Sequence, residues 1–475
     1  MDVMELFSPI AIAVLGSCVL FLFSWWKNLH APPCIQGWIP WIGAGFEFGK
    51  APLEFIEKAR IKYGPVFTIF AMGNRMTFVT EEEGIDVLLK SKHVDFELAV
   101  QSPLYHTAQI PKNIFFALNE KLHVLVKGKM GALNMHHFTG PLTEEFQHQL
   151  EGLGAHGTMD LNDFVRHLLY PTTLNTLFMK GLFLTDKRNV KEFYQHFKTY
   201  DEGIEYGSQL PGWLLRNWSK SKRWLMELFE KNIKDIKTHR SSGHSGTIFQ
   251  AVLETVEMET RQHSPNYGLL MLWAALANAT PFFTQFGELK DDGGLGLITF
   301  WTLGYILSHP DLHRTILESI SSVFGTAGKD KIEVSEDDLK KLLLIKWCIL
   351  ESIRLRAPGI ITRKVVKPVK ILAGGQQPLG RKDNHTVPSG DLLMLSPFWL
   401  HRNPKYFPEP ESFKPERWRE THLDKYIFLD YFMGFGGGKF QCPGRWFALL
   451  EIQLCIILVL YKYECRLLDP LPNQT

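Results

Sequence analysis

The chain has 475 residues, 45% of them apolar and 21% charged, with 52 basic against 50 acidic side chains and a formal net charge of +2. That much apolar material supports a large buried core, and a balanced charge with no polybasic arm or face excludes nucleic acid as the default partner. The cysteines at 18, 34, 348, 442, 455 and 465 have no compact spacing, so they read as reduced thiols facing a cytosol-like compartment, not as a disulfide framework.

Taken in chain order, the first element runs from Leu6 to Trp26 without a charged residue. At 1.5 Å per residue that is about the length that crosses a hydrocarbon core of roughly 30 Å, and Trp25 and Trp26 suit an interfacial belt. Asp2 and Glu5 precede the segment while Lys27 and His30 follow it, which places the body of the protein in the cytosol. A cleavable signal peptide has a shorter apolar core behind basic residues, so residues 1–30 are expected to be a single-pass anchor and residues 31–475 one globular body. "HAPPCIQGWIPWIGAGFEFG", with Pro32, Pro33 and Pro40, reads as a stiff, non-helical strap. "GPVFTIFAMGNRMTFVT" alternates β-formers around Met72-Gly73-Asn74 and predicts a hairpin. Much of 140–360 reads as helices, for example "KRWLMELFEKNIKDIKTH". The prediction is one mainly α domain with a minor β portion and no internal repeat.

Three later stretches carry the chemistry. "ESIRLRAP" sets Glu351 and Arg354 three apart on one helix, which alone reads as a solvated ion pair of little worth. "YFPEPESFKPERW" is a proline-punctuated coil holding Arg417. "FGGGKFQCPGRWFALLEIQ" places Phe435, Gly438, Cys442 and Gly444 in an F-x-x-G-x-x-x-C-x-G array that runs into an apolar helix. Glycines let backbone approach the flat face of a macrocycle, and loop N–H groups with a helix N-terminus stabilise a thiolate without a protonated side chain. A phosphate loop needs a hydroxyl after Gly438-Lys439, which Phe440 lacks, and no C-x-x-C is present. A structural cysteine in a glycine-rich turn stays open on this motif alone.

Together, in this order and spacing, the three stretches resemble the cytochrome P450 family, over the whole chain, and the proline strap behind an anchor is similar to its microsomal members. The resemblance implies the cytochrome P450 fold and a haem b held by Cys442 as axial thiolate, a ligand that favours O–O cleavage, with Phe435, Gly438 and Gly444 around it. It implies a structural charge triad of Glu351, Arg354 and Arg417, and candidate contacts to the haem propionates from Arg363, His123 and Lys127, the family's usual Trp-x-x-x-Arg being absent. Two departures stand out. Phe440 replaces a usual basic residue, and "LWAALANATP" offers Asn278 as the catalytic polar residue where an acid–threonine pair is usual. Both resemble the sterol 7α-hydroxylase branch and its prostacyclin synthase relatives.

What this implies is a monomeric, membrane-anchored monooxygenase of the endoplasmic reticulum with a cytosolic catalytic domain. It would hydroxylate an oxysterol, 24-hydroxycholesterol at its 7α position, in cholesterol catabolism to bile acids. Electrons would come from NADPH through an FAD/FMN reductase docking on Lys127, Lys129, Lys439 and Arg445. The alternatives are a haem-thiolate isomerase of the prostacyclin synthase type and an inactive haem- or sterol-binding isoform. The second arises because 282–299 and 373–387 read as insertions and "LLDPLPNQT" ends where family members carry further β structure.

Overall fold

The computed structural model describes residues 31–180, 183, 187–240, 246–260, 262–276, 298–326, 328, 330–356, 360–372, 384–419 and 431–472. The expected anchor, Asn278, nearly all of 282–299 and most of 373–387 therefore lie outside the described residues. The chain divides into two compact units, one holding residues up to Gly49 with Leu53–Asp95 and Thr362–Leu395, the other Lys50–Pro52, Phe96–Ile361 and Ser396–Thr475.

The first unit is built on a six-stranded sheet in the order β1-β2-β3-β8-β5-β4. β1 (Cys34–Ile35) runs parallel to β2 (Val66–Ala71), which pairs antiparallel with β3 (Asn74–Val79). The expected hairpin forms because Met72 and Gly73 both take positive φ, 50° and 76°, the turn that matches strand twist. β3 then runs parallel to β8 (Leu392–Leu395), and β5 (Ile361–Val365) pairs antiparallel with β4 (Val94–Asp95). A separate hairpin joins β6 (Val369–Leu372) to β7 (Asn384–Val387), so the strands bordering 373–383 do pair. Among the described residues, the helices of this unit are α1 (Gly45–Lys50), α2 (Pro52–Tyr63) and α3 (Ile85–Lys90). The strap stays non-helical as far as α1. Phe67 on β2 stacks on Phe78 of β3 at 5.7 Å, and Phe48 meets Phe78 at 6.0 Å, a buried aromatic pair that fastens α1 to the sheet.

The second unit is helical. Its helices are α4 (Glu97–Ala108), α5 (Lys112–Lys129), α6 (His136–Glu151), α7 (Leu161–Leu177), α8 (Lys187–Glu202), α9 (Ile204–Gln209), α10 (Arg216–Arg240), α11 (Ile248–Glu259), α12 (Ser264–Leu276), α13 (Ile298–Ser308), α14 (Pro310–Phe324), α15 (Glu336–Lys341), α16 (Leu343–Arg356), α17 (Pro397–Leu400) and α18 (Arg445–Lys462). Their starts carry chemical signals. Asp160 accepts from Asp163 N at 2.9 Å, Thr247 and Ser335 form capping boxes with Gln250 and Asp338, and Pro310 opens α14. α18 packs on α6, α13, α14 and α16, and its Leu454, Ile456, Ile457 and Val459 are fully buried. Among the described residues the one stretch long and apolar enough to cross a membrane is Gly438–Lys462, and it is mostly buried as the core of this unit.

The end of α4 is held from three directions. Lys222 Nζ on α10 donates to His106 O at 2.8 Å, Tyr200 OH on α8 to Thr107 O at 3.4 Å, and Asn266 Nδ2 on α12 to Ala108 O at 2.8 Å. These side chains satisfy terminal carbonyls that helical geometry leaves without partners.

Candidate active site

The cysteine loop is folded by its own backbone. Cys442 N donates to Phe435 O at 3.0 Å, Gly436 N to Met433 O at 3.0 Å and Gln441 N to Gly438 O at 3.2 Å. Gly434 is pressed against α16, where an added Cβ would stand 2.3 Å from Ile353 Cγ2. Gly436 has φ +71°, and a Cβ there would meet no protein atom within 4 Å, so the loop is glycine at this point for its backbone shape. The chain then enters α18, and the N–H groups of Gly444 and Arg445 donate to the Cys442 sulfur. These are the donors expected of a helix-end thiolate site. Burial nevertheless wins, pushing the thiol above its ordinary range against the two N–H groups and the Arg445 guanidinium. The protein alone therefore holds a thiol, and a thiolate here needs a cation bound to the sulfur.

Beneath the loop, Glu351 and Arg354 are completely buried, so the surface-pair reading of "ESIRLRAP" is overturned. Glu351 Oε1 accepts from Arg354 Nη2 at 2.9 Å, Arg417 Nε at 2.9 Å and Lys414 N at 3.0 Å. Its Oε2 accepts from Arg354 Nε at 2.9 Å and Trp418 Nε1 at 3.0 Å. Arg354 spends its other N–H bonds on His401 O at 2.8 Å, Pro410 O at 2.7 Å and Ser412 O at 3.2 Å. The charge survives burial because every lone pair and proton of the ion pair is matched. Arg417 ties in the coil by donating to Pro408 O at 2.9 Å.

Flanking the loop, His123 and Lys127 share α5. His123 donates to the Lys439 carbonyl, and burial with Lys127, Lys439 and Arg445 nearby pushes its pKa down. Its Nε2 is buried without a hydrogen-bond partner. Phe440, the departure from the family pattern, stacks on Phe96 at 4.6 Å and meets the His123 ring edge-on at 5.7 Å. It thus holds the imidazole by packing. Of the expected basic docking face, Lys127 and Lys129 are exposed, while Lys439 pairs with Glu120 at 2.9 Å and Arg445 Nη1 donates to Cys442 O at 3.0 Å. Arg363 belongs to the other unit, on β5, nearly buried, its pKa pushed down to about 10 by burial against the pull of Asp95.

The Cytochrome P450 family profile matches residues 32–269 and 298–474. The chain belongs to the cytochrome P450 family. This P450 is 81% identical over its full length to the 24-hydroxycholesterol 7-alpha-hydroxylase of Mus musculus, covering 95% of that protein, and 67% identical over 99% of its length to the Homo sapiens protein of the same name, again covering 95%. It is 27% identical to Cytochrome P450 7B1 of Mus musculus, over 97% of this chain and 90% of that one. The first two carry a hydroxylase name, not that of an isomerase. The unmatched interval 270–297 takes in Asn278 and most of the expected insertion.

The residues of this P450 fit a haem. A half-buried sulfur with two backbone donors suits a soft iron ligand, and the His123 Nε2 is buried without a hydrogen-bond partner beside the Lys127 ammonium. One residue escaped the sequence reading altogether. His401 is fully buried, its Nδ1 donating to Arg354 O at 3.1 Å and its Nε2 accepting Met433 N at 2.9 Å. Burial pushes its pKa down to about 3, so the ring is neutral, with one donor and one acceptor that join the triad helix to the cysteine loop. Its sequence signal is only a lone histidine in "WLHRNP". Replacing His401 with phenylalanine strands two buried backbone groups at about 1–3 kcal/mol each. The expected result is a lower denaturation temperature with less haem per protein; unchanged values of both would remove His401 from the support of the loop.

Proposed function

We propose that this P450 hydroxylates an oxysterol, 24-hydroxycholesterol, at its 7α position, in cholesterol catabolism to bile acids. The observation that carries the haem chemistry is the half-buried Cys442 sulfur held by the N–H groups of Gly444 and Arg445. The sterol assignment rests on the shared name of the two most fully covered relatives reported above. Bound haem supplies the activation of O2 and the insertion of one oxygen atom into a C–H bond.

The chain's own residues do the rest. Cys442 holds the iron as a thiolate, and the loop's N–H groups keep that charge stable. His123 and Lys127 receive a haem carboxylate, whose charge favours the protonated imidazole and so lets Nε2 donate. Arg363 is the candidate for a second. Phe435, whose carbonyl accepts the Cys442 N–H, and Gly438 keep the loop in register, and Asn278 serves as the polar residue that holds a proton-delivering water. The triad anchors coil and helix. Electrons come from NADPH through a flavin reductase that meets the exposed Lys127 and Lys129, and the protein sits on the endoplasmic reticulum by its first 30 residues, its body in the cytosol.

The test is reconstitution of the purified full chain with reductase, NADPH and 24-hydroxycholesterol. The expected results are a thiolate-type Soret band in the reduced, CO-bound protein and a 7α-hydroxylated product identified by mass spectrometry and NMR. A normal CO band without that product would overturn the substrate; absence of the band would overturn the haem site.

A further inference from the structure

A second polar feature lies in the helical unit and takes no part in the site above. α9 is pressed against Trp218 of α10, since a Cβ at Gly203 or Gly207 would stand 2.5 or 2.2 Å from the indole. Glu205 lies between these two glycines, about 200° round the helix from each by helical geometry, so it faces away from Trp218. α9 packs also on α4. Glu205 is only 3% exposed, yet its Oε2 has no hydrogen-bond partner. Burial, reinforced by Asp201, pushes its carboxyl up to about 8, so at neutral pH it is an acid that can both donate and accept. Asp201, at the end of α8, accepts from Trp273 Nε1 at 3.2 Å. Trp273 stands on α12, the helix that leads in sequence toward Asn278.

A buried carboxyl oxygen left unmatched is a penalty that a ligand hydroxyl, which donates and accepts in turn, would remove. A sterol hydroxyl is the only such group on an otherwise apolar molecule. The 3-hydroxyl is common to cholesterol and its oxidised derivatives, so it cannot separate them. Only the side-chain hydroxyl does, and a site with an unmatched polar atom rejects the analogue lacking that group more sharply than an apolar pocket can. We propose that Glu205 reads the side-chain hydroxyl of the sterol and is the residue that selects an oxysterol over cholesterol. This rests on the oxysterol reading above.

The experiment is spectral titration of the haem-loaded full chain and its Glu205→Gln and Glu205→Leu variants. The probes are 24-hydroxycholesterol, cholesterol and a 3-deoxy 24-hydroxysterol, each variant first being shown to keep the wild-type CO spectrum. Glu205→Leu is expected to lose about tenfold or more in affinity for both 24-hydroxysterols, with cholesterol affinity unchanged or raised. Glu205→Gln, whose amide still donates and accepts, is expected to stay within a few-fold of wild type. Equal weakening of all three sterols, no weakening of any, or a loss that follows the 3-hydroxyl would overturn the assignment. Those outcomes leave the oxysterol reading standing; a wild-type protein that does not bind 24-hydroxycholesterol overturns both.

Discussion

Serine in place of Cys442 is expected to abolish the thiolate-type CO spectrum and most haem retention. The substitution keeps the size of the side chain and the two N–H groups of Gly444 and Arg445. It removes the ionisation, because a hydroxyl has a far higher pKa than a thiol and burial already opposes the charged form at this position. Neither Cys348 nor Cys455 can stand in. Cys348 and Cys455 are buried in the helical core with thiols pushed further up by burial, and neither has a glycine loop beside it. A serine variant that keeps the thiolate band would locate the ligand elsewhere and undo the account of the loop.

Glu351→Gln is the second large effect, and it should appear in folding, not in turnover. The carboxylate accepts five hydrogen bonds and balances Arg354 and Arg417. An amide turns one acceptor into a donor aimed at guanidinium N–H groups and leaves Arg354 charged in a fully buried position. Breaking such a pair costs about 3–5 kcal/mol, a large part of the roughly 5–15 kcal/mol that holds a typical protein folded. The expected outcome is poor soluble yield and a denaturation temperature well below wild type, with haem lost in proportion. A haem-loaded variant melting like wild type would mean the network contributes little.

Legibility in the sequence followed how local each signal is. The hairpin was readable because Met72-Gly73 imposes its turn within the strands it joins, and the cysteine loop because its glycines lie beside the sulfur they serve. The triad was readable only as a pattern, since an i,i+3 pair says nothing of its exposure; burial comes from Trp418 and the coil far along the chain. His401 was opaque because both its partners are backbone groups, Arg354 O and Met433 N, in segments brought beside it by the fold. The same holds for the parallel pairing of β3 with β8 and for Glu205, which looks like any helix glutamate until packing removes its water.

The three clasps on the end of α4 bear on time as well as stability. A helix end capped by its own neighbours frays freely, and its amides exchange with solvent through small local openings. Here the carbonyls of His106, Thr107 and Ala108 are each closed by a side chain from a different helix, so freeing this terminus breaks bonds to α10, α8 and α12 in addition to its own. Deuterium uptake over residues 97–109 should therefore be slower than at a helix end left to fray, and truncating Lys222, Tyr200 or Asn266 should speed it.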